Sequence, residues 1–179
     1  MTTVAYIVGS NASNSLNRLV AQAIIADAPE GLEFVEVTIT DLPMYTYDND
    51  GDFLALAREK KAAIEAADAL MIVAPEYNHS IPGVLKNALD WFSRPWGEKS
   101  FEGKKVLLAS ATASPQGGQW ARAHMRDILD IVDAEVVAEV GVQASQDQFG
   151  ADGRHSDADI QGQFKAAVDA FAQRLSAQA

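Results

Sequence analysis

Residues 69–91 read Ala69-Leu70-Met71-Ile72-Val73-Ala74-Pro75-Glu76-Tyr77-Asn78-His79-Ser80-Ile81-Pro82-Gly83-Val84-Leu85-Lys86-Asn87-Ala88-Leu89-Asp90-Trp91, and three regimes follow one another in them. The first six residues are apolar without a break. A run that short, with no polar alternation, reads as a strand buried on both faces, the mark of a parallel sheet interior. Two prolines, an aromatic ring and an amide then occupy a loop of limited freedom. Pro82 opens a helix whose buried stripe is Leu85, Ala88, Leu89 and Phe92, stopped at Ser93-Arg94-Pro95-Trp96-Gly97. In an open parallel sheet such a loop lies at the carboxyl edge of the strands, where ligands bind, and its composition suits holding a flat ring.

The same alternation extends in both directions. Val4-Ala5-Tyr6-Ile7-Val8 reads as a first buried strand, followed by the polar loop Gly9-Ser10-Asn11-Ala12-Ser13-Asn14-Ser15 and a helix with Leu16, Leu19, Val20, Ala23 and Ile24 at helical spacing. A helix N-terminus with free N–H groups, beside Ser10, Ser15 and Asn17, describes a phosphate cradle; Ser and Asn are also ordinary helix caps. Neither a Walker A motif nor G-x-G-x-x-G is present. Leu32 to Ile39 alternates as an edge strand, with Phe34, Val35, Val37 and Ile39 inward and Glu33, Glu36 and Thr38 outward. Residues 41–52 form a surface loop. A helix over 53–67 buries Phe53, Leu56, Ala57, Ile64 and Ala67 and turns Arg58, Glu59, Lys60 and Lys61 to water. Val106-Leu107-Leu108-Ala109 is a fourth strand, with an exit loop holding Thr112, Ser114, Gly117 and Gly118. A helix through Ala121, Met125, Ile128, Leu129 and Val132 leads to a short last strand, Glu135-Val136-Val137. Residues 141–158 read as a long loop ordered against a partner subunit, and Ile160, Phe164, Ala167, Val168, Phe171 and Leu175 stripe a final helix.

Five strands alternating with helices imply an α/β three-layer sandwich, a parallel sheet in the flavodoxin-like order 2-1-3-4-5. That order sets the first, third and fourth strand exits side by side, and these are the three polar loops. The length of 179 residues fits a single domain spanning 1–179. With 25 acidic and 14 basic residues, a net −11, and no basic cluster, a nucleic-acid or anionic-membrane surface is excluded as an expectation. The absence of cysteine excludes disulfides, iron–sulfur ligation and thiol nucleophiles and suits a reducing cytoplasm. No apolar run nears the ~20 residues of a membrane span. The three histidines have no ligand spacing, so no metal site is expected.

The motif Pro75-Glu76-Tyr77-Asn78 with Ser80, Pro82-Gly83, Leu85-Lys86-Asn87 and Asp90-Trp91, joined to Gly9-Ser10, Ser15 and Asn17-Arg18, resembles the NADPH-dependent FMN reductase family of flavodoxin-like quinone, chromate and azo-dye reductases. The resemblance weakens after about Gly141. It implies that Ser10, Ser15, Leu16 and Asn17 hold the FMN phosphate and that Pro75, Glu76, Tyr77 and Asn78 lie along the isoalloxazine. It further implies a flavin contact from Thr112, Ser114, Gly117 and Gly118, where Thr112 and Ser114 stand ahead of the Gly-Gly pair in place of the family's usual Ser and Gly. NAD(P)H is the implied donor, a quinone-like molecule the acceptor, and a homodimer or homotetramer the assembly. No general acid is required, since hydride transfer depends on ring stacking.

Other readings accompany these. His79 is a polar wall or a proton donor; Glu76 caps its own loop or meets a neighbouring subunit. Lys86 and Arg94 face a dinucleotide phosphate or serve structure, and Trp91 and Phe92 are packing or interface residues. The competing functions are a flavodoxin-type one-electron carrier, for which the −11 charge would serve docking, and a flavin-free interaction domain.

Overall fold

The apolar run of the opening stretch is the central strand β3, Ala69–Val73, with every residue buried. Around it the chain forms β1 (Thr2–Val8), α1 (Leu16–Ala26), β2 (Leu32–Glu36), α2 (Ala55–Ala66), α3 (Gly83–Phe92), β4 (Lys105–Thr112), α4 (Gln119–Ile131), β5 (Glu135–Gln143) and α5 (Ala158–Ser176). The structure is a computed structural model that describes residues 1–177. All strands pair in parallel in the order β2-β1-β3-β4-β5, as the sequence implies. Alternate side chains of each inner strand enter opposite layers. Ala5, Ile7, Leu70, Ile72, Val106 and Leu108 pack under α2, α3 and α4. Val4, Val8, Met71, Val73, Leu107 and Ala109 pack under α1 and α5. The chain therefore changes face between α1 and α2, and the exits of β1 and β3 part around a crevice.

Four expectations need correction. In β2 the pattern is shifted: Val35 is 43% exposed, whereas Glu36 turns inward to Arg18 and Tyr6. Lys60 and Lys61 do not face water but are 8% and 5% exposed. Each ammonium reaches polar atoms across the layer, Lys61 Nζ donating to the Phe92 and Glu98 carbonyls and Ser100 Oγ, Lys60 Nζ donating to Thr38 Oγ1. The apolar stems bury, and the polar partners at each head offset the cost of removing the ammonium from water. The fifth strand is nine residues long, paired with β4 as far as Thr112–Gln143; a bulge near its start breaks the alternation that would announce this length, and Val140 and Val142 then resume the inward phase. Finally, residues 141–158 are ordered against their own chain. Gln148 reaches back to the Ser145 N–H, Phe149 bridges His155 edge-to-face, and Arg154 and Gln161 bind Asp27 and the last carbonyls of α1.

Trp91 and Phe92 are wholly buried packing residues. Trp91 Nε1 and Asn87 Nδ2 both donate to the Pro43 carbonyl, and Asn87 Oδ1 accepts from the Tyr45 N–H, which fixes the 43–45 loop beside α3.

The pair at the β2 edge gives the fold an acid limit. Hydrogen bonds from Arg18 hold the Glu36 carboxyl below its ordinary value, against the opposing effect of burial. A carboxyl depressed on folding stabilises fully above its unfolded pKa, about 4.3, and that contribution disappears as pH falls through the lower folded value. The melting temperature should therefore fall in acid below about pH 4, and Glu36→Gln should lower it at neutral pH while flattening that acid slope; an unchanged slope in the variant would remove Glu36 from the account.

Candidate functional site: a slot at the carboxyl edge

The carboxyl ends of β1, β3 and β4 lie in register, Val8 beside Val73 beside Ala109, and their exit loops enclose a slot of about 280 Å³. Ser10, Ser15, Leu16, Asn17, Pro75, Glu76, Tyr77 and Thr112 line it, so eight of the residues singled out in the sequence meet there. Asn78, Ser114, Gly117 and Gly118 are not among its lining. Ala12, Asn14, Ala111, Ala113 and Gln146 join it instead. Gln146 was not legible: it arrives from the segment after β5 and donates to the Asn14 carbonyl at 3.3 Å, tying that segment to the loop after β1. A larger hollow, about 790 Å³, lies at the opposite sheet edge against the ends of α1 and α5. Helix C-termini there disfavour an anion, so the smaller slot is the better anion site.

At the first loop, Ser15 is the N-cap of α1 and its Oγ accepts from the Arg18 N–H at 3.4 Å. Ser10 Oγ accepts from the Ala12 N–H at 3.2 Å. Both hydroxyls are buried and retain their own protons for a ligand. The N–H groups of Leu16 and Asn17 open the helix, with no carbonyl one turn behind them. The Asn17 side chain is committed elsewhere. Its amide accepts from the Ala111 N–H at 2.9 Å and donates to the Ala111 carbonyl at 3.0 Å. β3 pairs with β4 only as far as Ala109, so this amide replaces the absent strand neighbour at Ala111. Arg18, the basic residue nearest the loop, forms a bidentate pair with Glu36.

In the second loop, Tyr77 and Ser80 exchange both backbone hydrogen bonds, 2.9 and 3.0 Å, around Asn78 and His79, which have φ of 51° and 58°. This is the two-residue turn with both central residues left-handed. Glu76 takes a role that neither reading anticipated: Oε2 accepts from the N–H groups of Trp120 and Ala121 at 3.0 and 3.1 Å. It caps α4, whose own N-cap, Gly118, has φ 79° and no side chain to offer. A Cβ on Gly118 would stand 2.6 Å from Ser110 Oγ, so the position cannot take a serine or aspartate cap. In the third loop Thr112 Oγ1 bonds the Ser114 backbone, and Ser110 Oγ and Arg122 Nη1 hold the Gly117 carbonyl. Those hydroxyls shape the loop, leaving its backbone and Thr112 toward the slot. Arg94 is paired with Asp50 and Lys86 with Asp90.

The family model described as NADPH-dependent FMN reductase matches residues 2–148. The chain belongs to that family. A 2-hydroxy-1,4-benzoquinone reductase of a Burkholderia species is 45% identical over 132 residues, 72% of each chain. A quinone reductase of Pseudomonas putida is 38% identical over 132 residues, 73% of this chain and 71% of the relative. The solved structure of FerB, a flavoenzyme NAD(P)H:(acceptor) oxidoreductase from Paracoccus denitrificans, superposes with a TM-score of 0.91 at 32% identity, covering 99% of this chain and 98% of that one.

As a member of that family the chain is an oxidoreductase that uses FMN with NAD(P)H as electron donor. Its slot fits that cofactor: neutral hydroxyls and helix N–H groups at one end suit a phosphate, and the Pro75–Tyr77 wall suits a flat ring. No lysine or arginine lines the slot. FMN affinity of this reductase should therefore hold steady, or tighten slightly against the −11 net charge, as salt rises from about 20 to 500 mM. Fluorescence titration at both salts checks it; a ten-fold weakening at high salt would demand a cationic phosphate ligand.

Proposed function

We propose that this FMN reductase passes two electrons from NAD(P)H to quinone-type acceptors, with FMN seated in the slot between the β1, β3 and β4 exits. The observation that carries the reading is the convergence of the Ser10–Asn17 helix start and the Pro75–Tyr77 wall on one cavity. In it the Ser10 and Ser15 hydroxyls and the Leu16 and Asn17 N–H groups take the phosphate. Pro75, Glu76, Tyr77 and Thr112 would border the ring, with Asn78 in the turn of the second loop and Ser114, Gly117 and Gly118 shaping the third loop from outside the lining. Held there by these residues, FMN would supply two-electron chemistry: a hydride taken from NAD(P)H and, with one proton from solvent, delivered as two electrons and two protons to a quinone, which leaves as the hydroquinone. The chain's own part is to bind, to orient and to leave one ring face open; its residues supply no required general acid. The relatives that act on quinones support the acceptor class.

We further propose that residues 1–179 work as one domain and assemble as a homodimer or homotetramer in the cytoplasm. Met44, Tyr47 and Trp96 are 76, 77 and 84% exposed and give an apolar surface suited to a second copy. No helix among the described residues is long and apolar enough to cross a membrane. The test is the absorbance of the purified, FMN-loaded protein under anaerobic conditions. NADPH should bleach the flavin and a stoichiometric quinone should restore it; a flavin that stays oxidised with both NADH and NADPH would refute the enzyme reading in favour of an electron carrier.

A further inference from the structure

Beside the slot, on the α4 side of the second loop, the His79 and Trp120 rings stack with centroids 3.8 Å apart and planes 16° from parallel. His79 is exposed and Trp120 half-buried. Everything around the pair holds it still. The backbone N–H of Trp120 donates to Glu76, itself a lining residue of the slot, so the pair stands one hydrogen bond from the cavity wall. Ser80 Oγ and His124 Nδ1 lie 2.9 Å apart and tie the far side of the turn to the next turn of α4. His79 also occupies a backbone position that glycine takes more readily, the second centre of a turn whose usual pair is Asn-Gly. A side chain carried at a left-handed position, stacked on Trp120 and exposed, points to use of its ring.

We propose that the His79–Trp120 stack is the platform on which the electron acceptor's ring is received at the rim of the flavin slot. This rests on the reading of the slot as an FMN site. The ligand class is a flat, electron-poor six-membered ring, a quinone, which complements the electron-rich faces of indole and imidazole. An oxidised nicotinamide ring shares that chemistry, and the experiment separates the two. The platform adds no chemical step; it raises the fraction of acceptors that arrive flat beside the slot.

The test compares His79→Gly and Trp120→Leu with the parent holoenzyme, using 1,4-benzoquinone and ferricyanide, which has no ring, as acceptors with NADPH. Aromatic stacking of ordinary strength predicts a ~3- to 10-fold rise in the KM for benzoquinone in each variant. The KM for NADPH and turnover with ferricyanide should be unchanged. Equilibrium dialysis of 1,4-benzoquinone against the oxidised holoenzyme should show the same loss of affinity. His79→Gly should melt no lower than the parent, since glycine suits the turn. An unchanged benzoquinone KM overturns the proposal, as does a loss shared equally by ferricyanide, which would mean a displaced loop, or a rise confined to NADPH, which would assign the stack to the donor. A parent protein that reduces no quinone would instead refute the function proposed above.

Discussion

Asn17→Leu should lower the unfolding free energy by about 2–4 kcal/mol, the largest loss expected from any single polar replacement in the slot. The side chain is 3% exposed and satisfies both polar groups of Ala111. Leucine fills nearly the same volume, so the loss is not a cavity effect. It leaves a buried N–H and a buried carbonyl without partners where β4 has outrun β3. For a chain of this size each kcal/mol corresponds to roughly 2–4 °C in Tm. Asn17→Asp keeps the acceptor and sets a carboxylate oxygen against the Ala111 carbonyl, so it should also destabilise. Urea denaturation gives the value directly, and a change under about 0.5 kcal/mol, the range of ordinary surface substitutions, would show that the amide does not stand in for a strand.

Glu76→Ala should weaken FMN binding by at least about ten-fold, whereas Glu76→Gln should stay within about three-fold. One carboxylate oxygen receives two N–H groups of the first turn of α4, and Gly118 offers no substitute. The second loop thereby fixes the helix that carries the third loop, and FMN needs both walls at once. The stability cost should be smaller, about 1 kcal/mol, as for other caps. Glutamine retains an acceptor oxygen, so it separates the tie from the charge. Flavin fluorescence quenching measures both affinities; an alanine variant that binds FMN like the parent would mean the tie does not shape the slot.

The sheet was legible because β1, β3 and β4 are nearly pure apolar runs, and their order follows from crossover geometry once five strands alternate with helices. Ser10, Ser15 and the Pro75–Tyr77 wall were legible because a phosphate cradle and a proline-bound aromatic loop demand particular residue types. What escaped depended on contacts distant in sequence. Glu36 faces inward because Arg18 and Tyr6 wait there, and Lys61 because the Phe92 and Glu98 carbonyls do. The segment after β5 has few large apolar residues, so nothing local announces that Arg154 and Gln161 fasten it to α1 or that Gln146 reaches the loop after β1. Asn17 lines the slot as expected, but its side-chain amide serves β4, since a side-chain amide bonds a phosphate or a strand edge equally well.

Titration of the apoprotein with FMN and with riboflavin separates the tail from the ring. Two or more hydrogen bonds to a charged phosphate predict that FMN binds on the order of 100-fold tighter, and that Ser10→Ala with Ser15→Ala removes most of the difference. Equal affinity for the two flavins in the parent protein would contradict the slot's assignment as a phosphate-anchored FMN site.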